Sequence, residues 1–134
     1  MNTNAKRLCT LLAAASLWPA AAIADCSRSG AGYMYMYTTC VAGSLPCEGD
    51  RLGPPGTQVL VISNVFRDIG GNAEYPGSVF HDELSIQGLP SADVRESGCF
   101  GSTVEAEREQ REHMARHARL YQKQRIFRIG MPDT

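Results

Sequence analysis

The chain has 134 residues, with 13 Lys plus Arg, 14 Asp plus Glu and a formal net charge of -1. This length suits one domain of ordinary size. The near balance of charge excludes the strongly basic surface with which proteins bind phosphates, so no nucleic-acid partner is expected.

The first 24 residues have the pattern of a secretory signal peptide. Lys6 and Arg7 precede an uncharged run from Leu8 to Trp18, and Ala22-Ile23-Ala24 fits the small-x-small rule for cleavage. The apolar run is about 11 residues, whereas a membrane-spanning helix needs roughly 20. The sequence therefore predicts removal of residues 1–24, with no transmembrane segment after cleavage.

Cleavage at this point begins the mature chain at Asp25 and gives a single domain over residues 25–134. Loss of Lys6 and Arg7 leaves 11 basic and 14 acidic residues. Acylation of Cys26 would instead make the chain a lipoprotein, but the residue before such a cysteine is normally Gly, Ala or Ser rather than Asp. We expect an exported protein, periplasmic or secreted.

Removal of the signal peptide also removes Cys9, which leaves an even number of cysteines. An oxidising compartment predicts two disulfides among them, with three possible connectivities. Either one bridge reaches the distant Cys99, or Cys99 stays unpaired. The pairing we expect is Cys40 with Cys99 and Cys26 with Cys47.

The first predicted element of the mature chain is a strand from Tyr33 to Val41. Side chains alternate along it, with Tyr33, Tyr35 and Tyr37 on one face and two methionines on the other. A row of tyrosine rings can stack on a sugar or an aromatic ligand, which makes these three the candidate ligand-binding residues. The alternative is a half-buried strand whose rings pack across its neighbours.

Further elements follow from pattern and turn residues. A loop rich in Gly and Pro covers residues 42–57, and the β-branched run from Gln58 to Phe66 predicts a central strand buried on both faces. A short helix is predicted from Ser78 to Gln87, and a short strand around Cys99 and Phe100.

A longer helix is predicted after these. Ser102 and Glu105 form a capping box, and no Gly or Pro interrupts the chain from there to Lys123. A closing strand is predicted from Arg125 to Ile129. The order indicates an α+β fold with one sheet of about four strands, one long and one short helix on one face, and disulfide staples. A right-handed crossover would make the last strand parallel to the strand that holds Cys99.

Two histidines on the long helix form a candidate metal site. His113 and His117 are one turn apart, with Glu109 one turn earlier, so the three project from one side of the helix. A third protein ligand such as His81 would be needed. Exposed histidines with no ligand are the alternative, and no motif in the chain predicts a cofactor.

Several stretches carry a resemblance to a known group of proteins. They are Ser63-Asn64-Val65-Phe66, Cys99-Phe100, Glu105-Ala106-Glu107 with Arg108 and Arg111, and the closing strand at residues 126–129. With these features the chain resembles small exported domains of Gram-negative bacteria, a group with no assigned activity.

The C-terminal part, from Cys99-Phe100-Gly101-Ser102 onward, is also similar to one half of a sporulation-related repeat (SPOR) domain. In that family a strand ending in Gly-x-Phe leads into a helix that opens with Ser-x-x-Glu-Ala. Cys99 stands where the family usually has glycine, and the first half of the chain does not match. The resemblance implies binding to the glycan strands of peptidoglycan.

Together these observations favour an exported binding protein without enzymatic activity, whose partner is a protein or a cell-envelope component. One alternative is a small exported metal-dependent hydrolase that uses His113 and His117. Another is an inhibitor of a secreted enzyme.

Overall fold

The computed structural model of the protein describes residues 32–68 and 76–132. The predicted signal peptide and Cys26 lie outside the described residues. Within them the strands are β1 (Gly32–Met34), β2 (Met36–Val41), β3 (Gln58–Ser63), β4 (Phe66–Asp68), β5 (Arg95–Glu96) and β6 (Gln124–Ile129). The helices are α1 (Gly77–Ile86) and α2 (Thr103–Leu120), and a 3₁₀ turn spans Asp50–Leu52.

The strands form a four-stranded and a two-stranded sheet. The larger sheet has the order β5-β2-β3-β6, in which β2 is antiparallel to β5 and β3, and β6 is parallel to β3. The smaller sheet is the antiparallel pair of β1 and β4. The α+β class, the sheet of four strands and the long and short helices are confirmed, while the two-stranded sheet was not predicted.

Tyr35 divides the first predicted strand into β1 and β2. Its N–H donates to Ser97 Oγ at 2.9 Å, and its carbonyl accepts from Ser97 N at 2.9 Å. Tyr33 exchanges two further backbone hydrogen bonds with Phe100. The segment after β5 therefore bonds to the first strand region where the chain passes from one sheet to the other. In place of the strand predicted around Cys99, the structure has the short strand β5 and the bridge between Tyr33 and Phe100.

The apolar run of β3 is buried on both faces, as predicted. Val59 and Val61 belong to one hydrophobic cluster, and Leu60 and Ile62 belong to the other. The strand lies between β2 and β6, which confirms it as a central strand. It ends at Ser63 rather than Phe66, because the chain turns there and begins β4 in the smaller sheet.

The two helices cover opposite faces of the larger sheet, so the prediction of helices on one face is wrong. Phe80 and Leu84 of α1 pack in the cluster of Val59 and Val61, whereas Met114 of α2 packs in the cluster of Leu60. The physical reason is that β3 is apolar on both sides. Each face of the sheet therefore needs its own cover.

Helix α2 starts at the predicted cap and leads to the far edge of the sheet. Ser102 Oγ accepts a hydrogen bond from Glu105 N at 3.2 Å. The chain then crosses to β6, which runs in the same direction as β5 but is separated from it by the two strands β2 and β3. β5 and β6 therefore run parallel, as predicted for the last strand and the strand near Cys99, but they lie at opposite edges of the larger sheet. Neither helix in the described part of the chain is long and apolar enough to cross a membrane.

The disulfide pairing differs from the one expected. Cys40 is bonded to Cys47, and Cys99 is also disulfide-bonded. The pairings of Cys40 with Cys99 and of Cys26 with Cys47 are therefore wrong. The loop after β2 turns back on itself, with Gly43 N donating to Cys47 O at 3.0 Å, and this turn brings Cys47 beside the end of β2.

Candidate functional site

An open cleft of about 430 Å³ lies between α2 and the adjacent ends of β3 and β6. Parallel strands bring their carboxyl ends to the same edge of a sheet, and clefts at such edges are frequent binding sites. The lining residues are Asn64, Val65, Glu107, Gln110, Arg111, Met114 and Arg128.

Backbone and amide hydrogen bonds hold the floor of the cleft in place. Asn64 N donates to Ile129 O at 3.0 Å, and Asn64 Oδ1 accepts from Met131 N at 2.7 Å. On the helix side, Gln110 Nε2 donates to Ser63 O. Because these bonds tie β3 to β6 and to α2, the cleft is a preorganised feature of the fold.

Two arginines give the cleft its charge. Arg111 on α2 and Arg128 on β6 are both exposed, and neither forms a salt bridge or side-chain hydrogen bond with a described residue. By contrast, Arg116 lies 3.6 Å from Glu109 and Arg125 donates to Arg51 O. The guanidinium groups of the cleft are thus available to a ligand.

The remaining lining groups restrict the kind of ligand. Glu107 supplies one carboxylate against two guanidinium groups, and Val65 and Met114 supply apolar surface. Guanidinium groups bind carboxylates and phosphates through paired, charge-assisted hydrogen bonds. This combination suits an anionic group attached to a partly apolar body.

Helix α2 covers two residues of the predicted tyrosine face, Tyr35 and Tyr37. Tyr35 is only 3% exposed, its hydroxyl is hydrogen-bonded to His113 Nδ1 at 3.0 Å, and the Tyr37 ring meets the His113 ring edge-on at 4.5 Å. Tyr35 is therefore a core residue and not part of an exposed binding face. Tyr33 and Tyr37 are half-buried, and a ligand-binding role for them stays a prediction.

Burial controls the ionisation of the Tyr35 and His113 pair. It raises the pKa of Tyr35 to about 12, helped by the nearby Glu109 and Tyr37 and opposed by Arg116. Burial also lowers the pKa of His113, helped by Arg116 and His117 and opposed by Glu109. At neutral pH the phenol is protonated and the imidazole is neutral, which is the charge state that a buried hydrogen bond favours.

The structure places the predicted metal ligands in different surroundings. His117 is 7% exposed and its Nε2 donates to Gln58 O at 3.0 Å, while His113 Nδ1 is bonded to Tyr35. His81 lies on α1, across the sheet from α2, so its role as third ligand is wrong. In residues 32–68 and 76–132, no group of three or more His, Cys, Asp or Glu side chains is arranged to hold a metal.

Comparison with protein-family models, curated proteins and solved structures gave no match for this chain. Of the cleft residues, the sequence resemblance included Asn64, Val65, Glu107, Arg111 and Arg128 but assigned them no role, and it did not include Gln110 or Met114. The available signal was the alternation in β6, which places Arg128 on the same face as Ile126. That signal becomes informative only once β6 is known to pair with β3.

Proposed function

We propose that this chain is an exported binding protein that holds an anionic group of a protein or cell-envelope component in the cleft between α2, β3 and β6. The observation that carries the proposal is the convergence of Arg111 and Arg128, neither of them ion-paired to a described residue, on one preorganised cleft. The anionic group is a carboxylate or a phosphate.

The energetics favour binding over a purely structural role for these arginines. A hydrogen bond to a charged group is worth about 1.5 to 3 kcal/mol, and solvent screening reduces this in an open cleft. Exposed arginines without an ion pair to a described residue contribute little to folding, so the fold itself does not require this pair. Two guanidinium groups acting on one anion account for selectivity toward acidic partners.

Export is supported by the signal-peptide pattern and is compatible with the disulfides. Disulfides such as the bond between Cys40 and Cys47 persist in oxidising compartments and are rare in reducing ones. The predicted periplasmic or secreted location agrees with a partner that is a secreted protein or a cell-envelope component.

The proposal is tested by comparing capture by two charge-matched variants. The test variant is Arg111→Gln/Arg128→Gln, and the control is Arg108→Gln/Arg119→Gln, which removes the same charge from exposed positions of α2 outside the cleft. Each is pelleted with purified peptidoglycan and cross-linked in envelope extract. We expect the cleft variant to lose at least about tenfold in retention while the control keeps it. Equal retention by the two variants contradicts the proposal.

A further inference from the structure

The outer edge of β6 carries backbone groups with no partner among the described residues. β6 is the last strand of the larger sheet, and it pairs only with β3. Gln58 N donates to Lys123 O, and Asn64 N donates to Ile129 O. These two bonds fix which residues of β6 point toward β3.

In a parallel ladder the residues that bond to the neighbouring strand alternate along the chain. The odd-numbered residues of β6, from Arg125 to Ile129, therefore direct their N–H and C=O groups to β3. The even-numbered residues Gln124, Ile126 and Arg128 direct theirs outward. Such an edge is a template for one more strand.

The edge and the cleft are continuous because Arg128 belongs to both. Its backbone points outward from β6, and its side chain lines the cleft beside Arg111. A strand added to β6 would therefore place alternate side chains next to these two arginines. Charge complementarity selects acidic side chains at those positions.

A second copy of this chain fits the edge less well. Pairing of two β6 strands would gather two further arginines, Arg125 and Arg128, at an edge that already carries two, and this adds like charge without supplying an acidic side chain. Charged residues on edge strands commonly prevent such self-association.

We infer that the ligand of this protein is an extended acidic peptide segment, which adds as a strand to the edge of β6 and inserts an acidic side chain between Arg111 and Arg128. This inference rests on the proposed function, because it names the ligand of the same cleft. Main-chain hydrogen bonds to β6 supply affinity, and the arginines supply selectivity.

The probe is an acetylated hexapeptide amide in which glutamate alternates with valine or threonine. Amide hydrogen exchange is followed by NMR on the whole protein with and without this peptide. Without it, the amides of Ile126 and Arg128 exchange fast while those of Phe127 and Ile129 are protected. With it, we expect exchange at Ile126 and Arg128 to slow by at least about tenfold.

Two N-methylated versions of the peptide provide a matched control. One carries N-methyl groups at odd positions and the other at even positions, so only one of them blocks the N–H groups that face β6. We expect one version to bind at least about tenfold more weakly than the other. Equal binding by the two versions overturns strand addition.

Two further outcomes also overturn the inference. The first is protection of Ile126 and Arg128 in the peptide-free protein that rises with protein concentration and accompanies a dimer on gel filtration, because the edge is then occupied by a second copy. The second is peptide binding that depends on Arg111 and Arg128 but leaves exchange along β6 unchanged. In that case the anion-binding function stands and strand addition fails. Peptide binding that does not depend on Arg111 and Arg128 refutes the proposed function as well.

Discussion

Arg111 on α2 and Arg128 on β6 line the same cleft from two different elements, and neither has an ion-pair partner among the described residues. Their convergence depends on the parallel pairing of β6 with β3, which places Arg128 opposite Ile62 near the end of β3. Substitutions in the elements that hold this arrangement therefore test the account, as substitutions of the arginines do.

Gln110 fixes α2 to the sheet, and its loss should destabilise the protein. The side chain is 4% exposed and donates to Ser63 O, so Gln110→Ala leaves a buried carbonyl without its donor. We expect the free energy of unfolding to fall by about 1 to 3 kcal/mol. Urea denaturation measures this, with the exposed Gln122→Ala as control, which should change by less than about 0.5 kcal/mol. Equal effects of the two substitutions contradict the assigned role of Gln110.

The Tyr35 and His113 pair should make stability depend on pH. Because the pKa of His113 is lowered in the folded protein, the unfolded chain takes up its proton first as the pH falls below 6.5. Stability contributed at this site is therefore present above that pH and is lost below it.

At the alkaline end the same pair acts in the opposite direction. The Tyr35 pKa is raised to about 12, so the unfolded chain loses its proton first, from about pH 10 upward. Stability contributed by the protonated phenol is lost as the pH rises through this range.

The histidine contribution is isolated by the urea midpoints of the wild type and of His113→Gln at about pH 8 and about pH 5. The wild type should lose more stability than the variant on acidification, and identical losses would refute this assignment.

The disulfides predict a specific peptide map. Trypsin leaves Cys40 and Cys47 within one peptide, residues 29–51, which should be two hydrogens light before reduction. Cys99 needs a second cysteine, and in a chain that begins at Asp25 the one remaining is Cys26. We therefore expect residues 25–28 to be linked to residues 96–108 in a non-reducing digest. A cross-link that joins residues 29–51 to either of these peptides would contradict the map.

The bond between Cys40 and Cys47 should also contribute to stability. In the chain-entropy account, closing a loop of this size is worth about 2.5 kcal/mol. Cys40→Ala/Cys47→Ala should lower the unfolding free energy by about this amount. Cys47 is also fully buried, so the loss of its packing acts in the same direction. Urea denaturation of this variant, beside the wild type with and without reductant, measures the contribution. An unchanged midpoint would show that the bridge does not stabilise the fold.

Local sequence signals were sufficient for β3, α2 and β6. The β-branched run after Gln58 has no polar alternation and so indicates burial on both faces, and the capping box at Ser102 defines the start of α2. These features act within a few residues along the chain. They were therefore predictable without knowledge of the tertiary structure.

Long-range contacts decided what the sequence did not predict. The break at Tyr35 depends on Ser97, which is distant in sequence, and the cover over Tyr35 and Tyr37 includes the polar residue His113. Helix α2 has only three buried residues, Ala106, Gln110 and His117. Two of them are polar and anchor the helix, because Gln110 and His117 donate to carbonyls at the two ends of β3.

The central claim is that Arg111 and Arg128 act together on one anionic group. The most direct measurement is an NMR titration of the arginine side-chain Nε–H resonances with succinate, at low and at physiological salt. We predict that the Arg111 and Arg128 signals shift together with one dissociation constant, which rises with salt, while the exposed Arg119 remains unchanged. If Arg111 and Arg128 shift no more than Arg119, or shift with unrelated constants, the cleft is not a shared anion site.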